Sequence, residues 1–299
     1  METVSFKKAI GYVALGNIFI SIGPFFVEFS GLDALGSTFY RMLIGGIAFL
    51  LIAAARKEPF PKKCFLWVYG LAAIAIAVDL LLYNQSILYI GSGLSTVLSN
   101  LEIVFLILIG AVFYKEKLAR NFAITTLLII GGVLLLIEPY LYTIHAHIIL
   151  GIGLALLASF TFSIYLLLLR IIEKKTPETS YVSNLAVICI MGAFILAIVI
   201  AYVPQASFAL PTSLFGILSV CIYSLMSQVC GWWLVSKGIG KMNLSTSGVL
   251  FLLQPALTFL SDCVIFGRNT QVFQIVGSFI LLASIYITVR EEQRRKVTT

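Results

Sequence analysis

"DLLLYNQSILYIGSGLSTVLSNLE" occupies residues 79–102, and it decides the fold. Two apolar runs flank a "GSG" turn at 91–93, and a carboxylate stands at each end, Asp79 and Glu102. A helix needs about 20 apolar residues to cross a hydrocarbon core of about 30 Å. Followed outward, the first run begins near residue 65 and the second ends near 113, so each is such a helix. Each acid then falls near the middle of its span. A short turn makes the two helices antiparallel neighbours and brings both acids to a similar depth. An ionisable residue at the centre of a bilayer costs roughly 2.5–3.5 kcal/mol on insertion scales, so a functional role is the default expectation for both.

The rest of the chain agrees with this environment. Of 299 residues, 60% are hydrophobic and 11% charged, and the mean hydropathy is +1.06. A soluble domain carries roughly a quarter charged residues. Ten segments are long and apolar enough to be spans: 8–27, 34–55, 65–89, 93–113, 122–138, 148–170, 180–202, 213–236, 244–266 and 270–289. The fifth is the shortest. "RKEPFPKK" (56–63), "EPYLYTIHAH" (138–147) and "EKKTPETS" (173–180) punctuate them, and no connection is long enough for a soluble domain. The expected class is an all-α integral membrane protein with ten transmembrane helices.

The net charge of +7 is explained by topology. With the N-terminus inside, every lysine and arginine except Arg41 and Arg268 falls at an inner end or loop. That bias places both termini in the cytoplasm. No basic stripe with interleaved aromatics occurs, so a nucleic-acid partner is not expected. Lys7 and Lys8 precede an apolar run from Ala9 that is too long for a signal peptide and lacks an A-x-A site, so it reads as an uncleaved first span. Cys64, Cys189, Cys221, Cys230 and Cys263 are scattered without a CxxC pair and read as small apolar residues. The HxH of His145 and His147 lacks a third ligand nearby, and no metal or cofactor is expected. "GSG" and the two "GIG" triplets lack the strand context of a dinucleotide fingerprint.

The chain also repeats itself. "GSGLSTVLSNLEIVFLILIGAVFYKEKL" (91–118) lies beside "KMNLSTSGVLFLLQPALTFLSDCVIFGRN" (241–269), with Glu102 opposite Gln254 and Ile103 opposite Pro255. "IIGGVLLL" (129–136) matches "IVGSFILL" (275–282), and Gly11 and Gly151 open the first helix of each half. Five spans per half is an odd number, so the second half enters from the opposite side. The expectation is two inverted five-helix repeats, 1–142 and 143–299, with a binding site near the midplane between them.

On "TFYRMLIGGIAFLL" (38–51), "FYKEKL" (113–118) with its following "IIGGVLLL", and "LLQPALTFL" with "FGR" (252–260, 266–268), the chain resembles the drug/metabolite transporter superfamily, in particular its ten-span EamA-type members. The likeness covers nearly the whole chain. Ile103 departs from the family's frequent proline in the fourth span, and Arg268 from its frequent glutamate in the second repeat. The resemblance implies a transporter, peripheral fifth and tenth spans, and a structural role for Arg41, where the family often has arginine.

The polar residues inside the spans fall into stripes. Asp79, Tyr83 and Ser86 recur at i, i+4, i+7, and Ser95, Ser99 and Glu102 at i, i+4, i+7. Ser247, Gln254, Thr258 and Ser261 share a face of the ninth span, Gln228 and Trp232 a face of the eighth, and Asn17 lies near mid-depth in the first. These stripes belong to a water-accessible cavity. Arg41, about two turns into the second span, either snorkels to headgroups, binds an anionic group or pairs with an acid. Trp232 stacks on a cation or anchors at the interface. Pro24 and Pro255 permit bends at the cavity wall.

Asp79, Glu102, Tyr83, Ser99, Asn17, Gln228, Trp232, Gln254 and Arg41 are therefore the expected substrate or proton site. The expected activity is secondary transport of a small polar metabolite, an amino acid, amine or related compound, across a bacterial inner membrane by alternating access. Proton coupling would rest on Asp79 and Glu102. The alternative is a multidrug or organic-cation exporter. A channel would need a continuous polar pore, and a lipid-modifying enzyme would need a reactive cluster near the headgroups. Neither pattern is present, and no enzymatic activity is expected.

Overall fold

The structure, a computed structural model, describes residues 5–62, 65–99, 101–114, 122–137, 146–202 and 208–258, and then 271–273, 275–277, 279–280, 283–284 and 287. Its regular elements are helices: α1 (Phe6–Ser21), α2 (Gly23–Ser30), α3 (Ala34–Ala55), α4 (Leu66–Ser99), α5 (Glu102–Tyr114), α6 (Phe122–Ile137), α7 (Ala146–Lys175) and α8 (Tyr181–Tyr202). Then come α9 (Leu214–Ile222), a π-helical segment (Tyr223–Gly231), α10 (Trp232–Ile239) and α11 (Leu244–Phe251). A short helical stretch at 253–258 follows. Polar caps start several of them. The Asp33 carboxylate accepts from the Gly36 N–H at 2.7 Å, and the Ser213 hydroxyl accepts from the Gly216 N–H at 3.0 Å.

Six stretches are long and apolar enough to cross a membrane: Phe6–Val27, Ala34–Ala55, Leu66–Gly91, His147–Lys175, Tyr181–Tyr202 and Leu214–Ile239. They correspond to expected spans one, two, three, six, seven and eight. The sixth runs on to Lys175, beyond the expected stop at 170, because Ile171 and Ile172 continue its apolar face. The fourth is assembled from residues after Gly91 together with α5, and the fifth is α6, 16 residues long. The ninth begins with α11 and 253–258, while 259–270, with Ser261, Cys263 and Arg268, lies outside the described residues. Large apolar side chains such as Leu51, Trp67, Leu127 and Phe194 point outward, and small ones such as Ala9, Ala72, Ala73 and Ala155 point inward. Small residues suit a bundle in lipid, where close packing drives helix association in place of apolar burial from water.

Contacts between helices fix their directions. Gly91, at φ +78°, turns the chain between the third and fourth spans. Beyond it Ser86 meets Ser95 at 2.8 Å and Tyr83 meets Thr96 at 2.7 Å, the pairing of an antiparallel hairpin. α4 packs along α7, with Tyr69 near Thr176 at one end and Ser86 donating to the Gly151 carbonyl at the other. α7 is thus antiparallel to α4. α3 packs on α8, again antiparallel: Met42 meets Gly192, and Gly46 meets Cys189 and Ile190. α1 lies against the π segment and α10 along a glycine seam. A Cβ on Gly16 would sit 2.8 Å from the Gly231 carbonyl, and one on Gly238 would sit 2.5 Å from the Ala9 carbonyl. Only glycine permits so close a backbone approach.

One end of the bundle holds Lys7, Lys8, Arg56, Lys57, Lys62, Lys174, Lys175, Lys237 and Lys241; it is called the basic face here. The other end holds Ser30, Asp33, Gly91, His147, Tyr202 and Leu214. α1 leaves the basic face, and α7 runs toward it.

Candidate functional site

Four of the expected spans have their regular α-helix interrupted where they border a common space. The first breaks at Ile22, between α1 and α2, with Pro24 in the opening turn of α2. Proline fits a first turn because its missing N–H has no intrahelical partner there. The fourth span breaks between Ser99 and Glu102, the eighth widens into the π segment, and the ninth breaks at Leu252. Pro255 explains the last break, since it has no N–H to offer the carbonyl of Phe251. π turns inside α-helices recur at functional sites.

The space is a cavity of about 580 Å³, counting its mouth. Pro24, Asp79, Tyr83, Glu102, Tyr223 and Gln254 are among its lining residues. It extends from mid-depth toward the end opposite the basic face. Asp79 and Glu102 are 6% and 3% exposed, and one Glu102 carboxyl oxygen has no hydrogen-bond partner among the described residues. The two carboxyl groups interact electrostatically, and Asp79 also feels the charge of Arg41. No ion pair within 4 Å joins Arg41 to either acid among the described residues. The hydroxyls of Ser99 and Ser227 and the indole N–H of Trp232 line the same cavity without partners. Buried polar groups left unpaired are rare, and a cluster of them marks a place that a polar guest can complete.

Arg41 is held from one side. Its Nε donates to the Gln228 side-chain carbonyl at 2.8 Å, and its Nη1 donates to the Tyr223 hydroxyl. The guanidinium carbon also lies 4.5 Å from the Tyr223 ring centre. Gln228 in turn donates to the Cys189 sulfur at 3.2 Å, and Asn84 donates to Thr38 at 3.0 Å while accepting from Tyr223 at 3.4 Å.

Toward the basic face the cavity ends on an aromatic floor. Phe162 meets Trp232 and Phe251 edge-on at 5.7 and 5.5 Å, and Tyr165 meets Trp232 at 5.0 Å. Below it a polar network ties α4, α7 and α8. The Asn184 carbonyl oxygen accepts from Tyr69 at 2.6 Å and from Thr179 at 2.8 Å, while its amide donates to Glu173 at 3.3 Å. Ser180 donates to Glu58 beside it, which links α8 to the end of α3.

Of the nine residues expected at the site, Asp79, Glu102, Tyr83, Ser99, Trp232, Gln254 and Arg41 line the cavity. Asn17 and Gln228 are not among the lining residues and stand behind the cavity wall. Asn17 donates to the Val13 carbonyl at 2.9 Å and to the Leu250 carbonyl at 3.3 Å, pinning α1 to α11 just before its break. Gln228 is occupied by Arg41 and Cys189. Next to Trp232, Trp233 carries the Lys237 ammonium 3.6 Å from its ring centre. Ser95 and Ser247 are absent from the lining. Ser95 pairs with Ser86, and Ser247 donates to the Asn243 carbonyl at 3.0 Å. His147 stacks on Tyr89 at 5.8 Å, and His145 lies outside the described residues. No cluster of three potential metal ligands occurs among the described residues.

Sequence reasoning missed Tyr223, Ser227 and Thr96. An α-helical wheel aligns Gln228 with Trp232, but the wider π turn aligns Tyr223, Ser227 and Trp232, at spacings of four and five. Thr96 stands three residues from Ser99, as Ser99 does from Glu102, a spacing that a search for i, i+3 pairs would have found.

Known proteins resemble this chain in sequence and in fold. The EamA-like transporter family model matches the chain twice, over residues 7–138 and 149–290. A probable amino-acid metabolite efflux pump of Salmonella typhimurium is 25% identical, covering 83% of this chain and 85% of its own. An uncharacterised transporter of Archaeoglobus fulgidus is 22% identical over 75% of this chain and 77% of its own. One solved crystal structure superimposes with a TM-score of 0.78 at 14% identity, covering 97% of this chain and 99% of that one. That likeness is one of fold.

Proposed function

The chain belongs to the EamA-like transporter family, and from that premise we propose that it carries a small polar metabolite, an amino acid or an amine, across a bacterial inner membrane by alternating access. The observation that carries this reading is the cavity lined by two carboxyl groups that make no ion pair among the described residues and by a guanidinium held from another helix. An ammonium group suits Asp79 and Glu102, and a carboxylate suits Arg41. The amino-acid efflux pump of Salmonella typhimurium supports the same class.

Alternating access is supported by the packing. The first and eighth spans pair, as do the third and sixth, and the second pairs with the seventh. Exchanging each span for the one five places on leaves this set of pairs unchanged. α1 and α7 point in opposite directions, which supports ten spans in two inverted halves, 1–142 and 143–299. The cavity reaches toward the end opposite the basic face, while the aromatic floor and the Tyr69–Asn184–Glu173 network close the other end. With the basic face cytoplasmic, this is a state open outward. Rocking of the halves would part the floor and close the mouth. Glu102, with an unpartnered oxygen, is the carrier of a coupled proton in this scheme.

The test is counterflow in proteoliposomes, preceded by a thermal-shift screen of amino acids, amines and nucleoside-like metabolites. Saturable exchange of a screened amino acid is expected, driven by a pH gradient in the native protein and insensitive to it in Glu102→Gln. Full exchange with an unaltered pH response in both Glu102→Gln and Asp79→Asn rejects the coupling. One observation favours an organic-cation exporter as the second reading, since two carboxyl groups face a single guanidinium. Exchange of amines without amino acids would select it.

A further inference from the structure

Arg41 stands in a cavity with two acids and pairs with neither. Both side chains are nearly buried, where a guanidinium and a carboxylate attract more strongly than in open water, and the charge of Arg41 acts on Asp79. Something must hold them apart. The restraint is visible. Gln228 takes the Nε hydrogen at 2.8 Å, Tyr223 takes the Nη1 hydrogen and presents its ring 4.5 Å from the guanidinium carbon. Gln228 itself cannot swing. Its amide is tied to Cys189 at 3.2 Å, and its stem fills the place of a Gly45 side chain, where a Cβ would lie 2.6 Å from the Gln228 Cγ. Tyr223 is braced by Asn84, which is braced by Thr38. Both restraining residues come from the π segment. Nη2 of Arg41 has no hydrogen-bond partner among the described residues, and Arg41 is part of the cavity wall.

We infer that Gln228 and Tyr223 are positioning residues that hold Arg41 away from Asp79, so that the cavity keeps a positive wall and a negative wall apart. A guest then needs charge of both signs to satisfy the site. The specificity consequence is a preference for a zwitterion over the amine that lacks its carboxylate, set in part by Gln228 from behind the cavity wall. This consequence rests on the amino-acid reading above; the positioning role does not.

Two measurements separate them. The first needs no ligand. Gln228→Met keeps the length of the side chain but removes the carbonyl acceptor, so that of the two restraints only Tyr223 remains and Arg41 can lean toward Asp79. Asp79→Asn should lower Tm in the Gln228→Met background, where it breaks the new ion pair, and should leave Tm unchanged or raised in the native background. Equal shifts in the two backgrounds overturn the positioning role. The second uses two probe pairs, L-leucine with isoamylamine and L-phenylalanine with phenethylamine. Gln228→Glu keeps Arg41 in place but cancels its charge. Binding of the amino acid should weaken about tenfold or more, with binding of the amine unchanged or tighter. Parallel loss of both, or no change in either, overturns the specificity role. If the native protein binds neither member of either pair while the Tm cycle shows coupling, the amino-acid reading fails and the positioning role stands.

Discussion

The hairpin of α4 and α5 and the stretch aligned with it in the second half of the sequence, the π segment with 253–258, wall the same cavity with different chemistry. The hairpin contributes Asp79 and Glu102. The counterpart contributes Tyr223, Ser227, Gln254 and Thr258, all neutral, and fixes Arg41 from behind with Gln228. The two regions also differ in backbone. α4 is regular through Asp79 and turns at Gly91, whereas the counterpart is irregular over nine residues. Related architecture therefore does not impose related chemistry. It supplies two facing walls, and point differences such as Glu102 opposite Gln254 give the cavity a field with a direction.

The largest effect is expected where the two walls share a floor. Trp232→Ala removes a side chain that is 1% exposed and touches Phe162, Tyr165 and Phe251. A stability loss of about 3–5 kcal/mol is expected, read as a lower Tm in detergent. An unchanged Tm would show that the floor is not a packed unit. Next come the acids. Asp79→Asn and Glu102→Gln should each reduce substrate affinity by roughly thirtyfold or more, the equivalent of about 2 kcal/mol, without lowering Tm. The reason is that neither acid makes an ion pair that the folded state would lose. A fall in Tm in place of affinity would make them structural. The smallest change comes from making the walls alike. Gln254→Glu adds a third carboxyl to the cavity and should shift relative affinity a few-fold toward amines over amino acids, measured by competition. No shift would mean that Gln254 lies outside the bound guest's field.

The helices and the midplane acids were legible because both follow from solvent. A continuous apolar run has one stable place, and an acid inside it is conspicuous. The hairpin was legible from "GSG" and from the depth match of Asp79 and Glu102. The breaks at Pro24 and Pro255 were legible as bends, since proline announces its missing donor. What could not be read was the register inside the eighth span. Nothing in "YSLMSQVCGW" departs from α periodicity, so Gln228 was placed in the cavity and Tyr223 was not. The position of Asn17 behind the wall is hidden for a related reason. A polar residue at mid-depth looks the same in sequence whether it faces water or caps a carbonyl of a neighbouring helix, as Asn17 does for Leu250.

The π segment bears on how this protein can change length over evolution. A π turn holds more residues than the α turn it replaces, so deleting one residue within 223–231 lets ordinary turns close. The residues after the deletion then keep their faces, with Trp232 on the floor, Gly238 in the seam with Ala9 and Lys237 beside Trp233. The same deletion inside a regular helix such as α3 or α8 would turn everything after it by about 100°. A map of tolerated single-residue deletions within the helices should therefore show its most permissive zone in this buried stretch of greasy sequence.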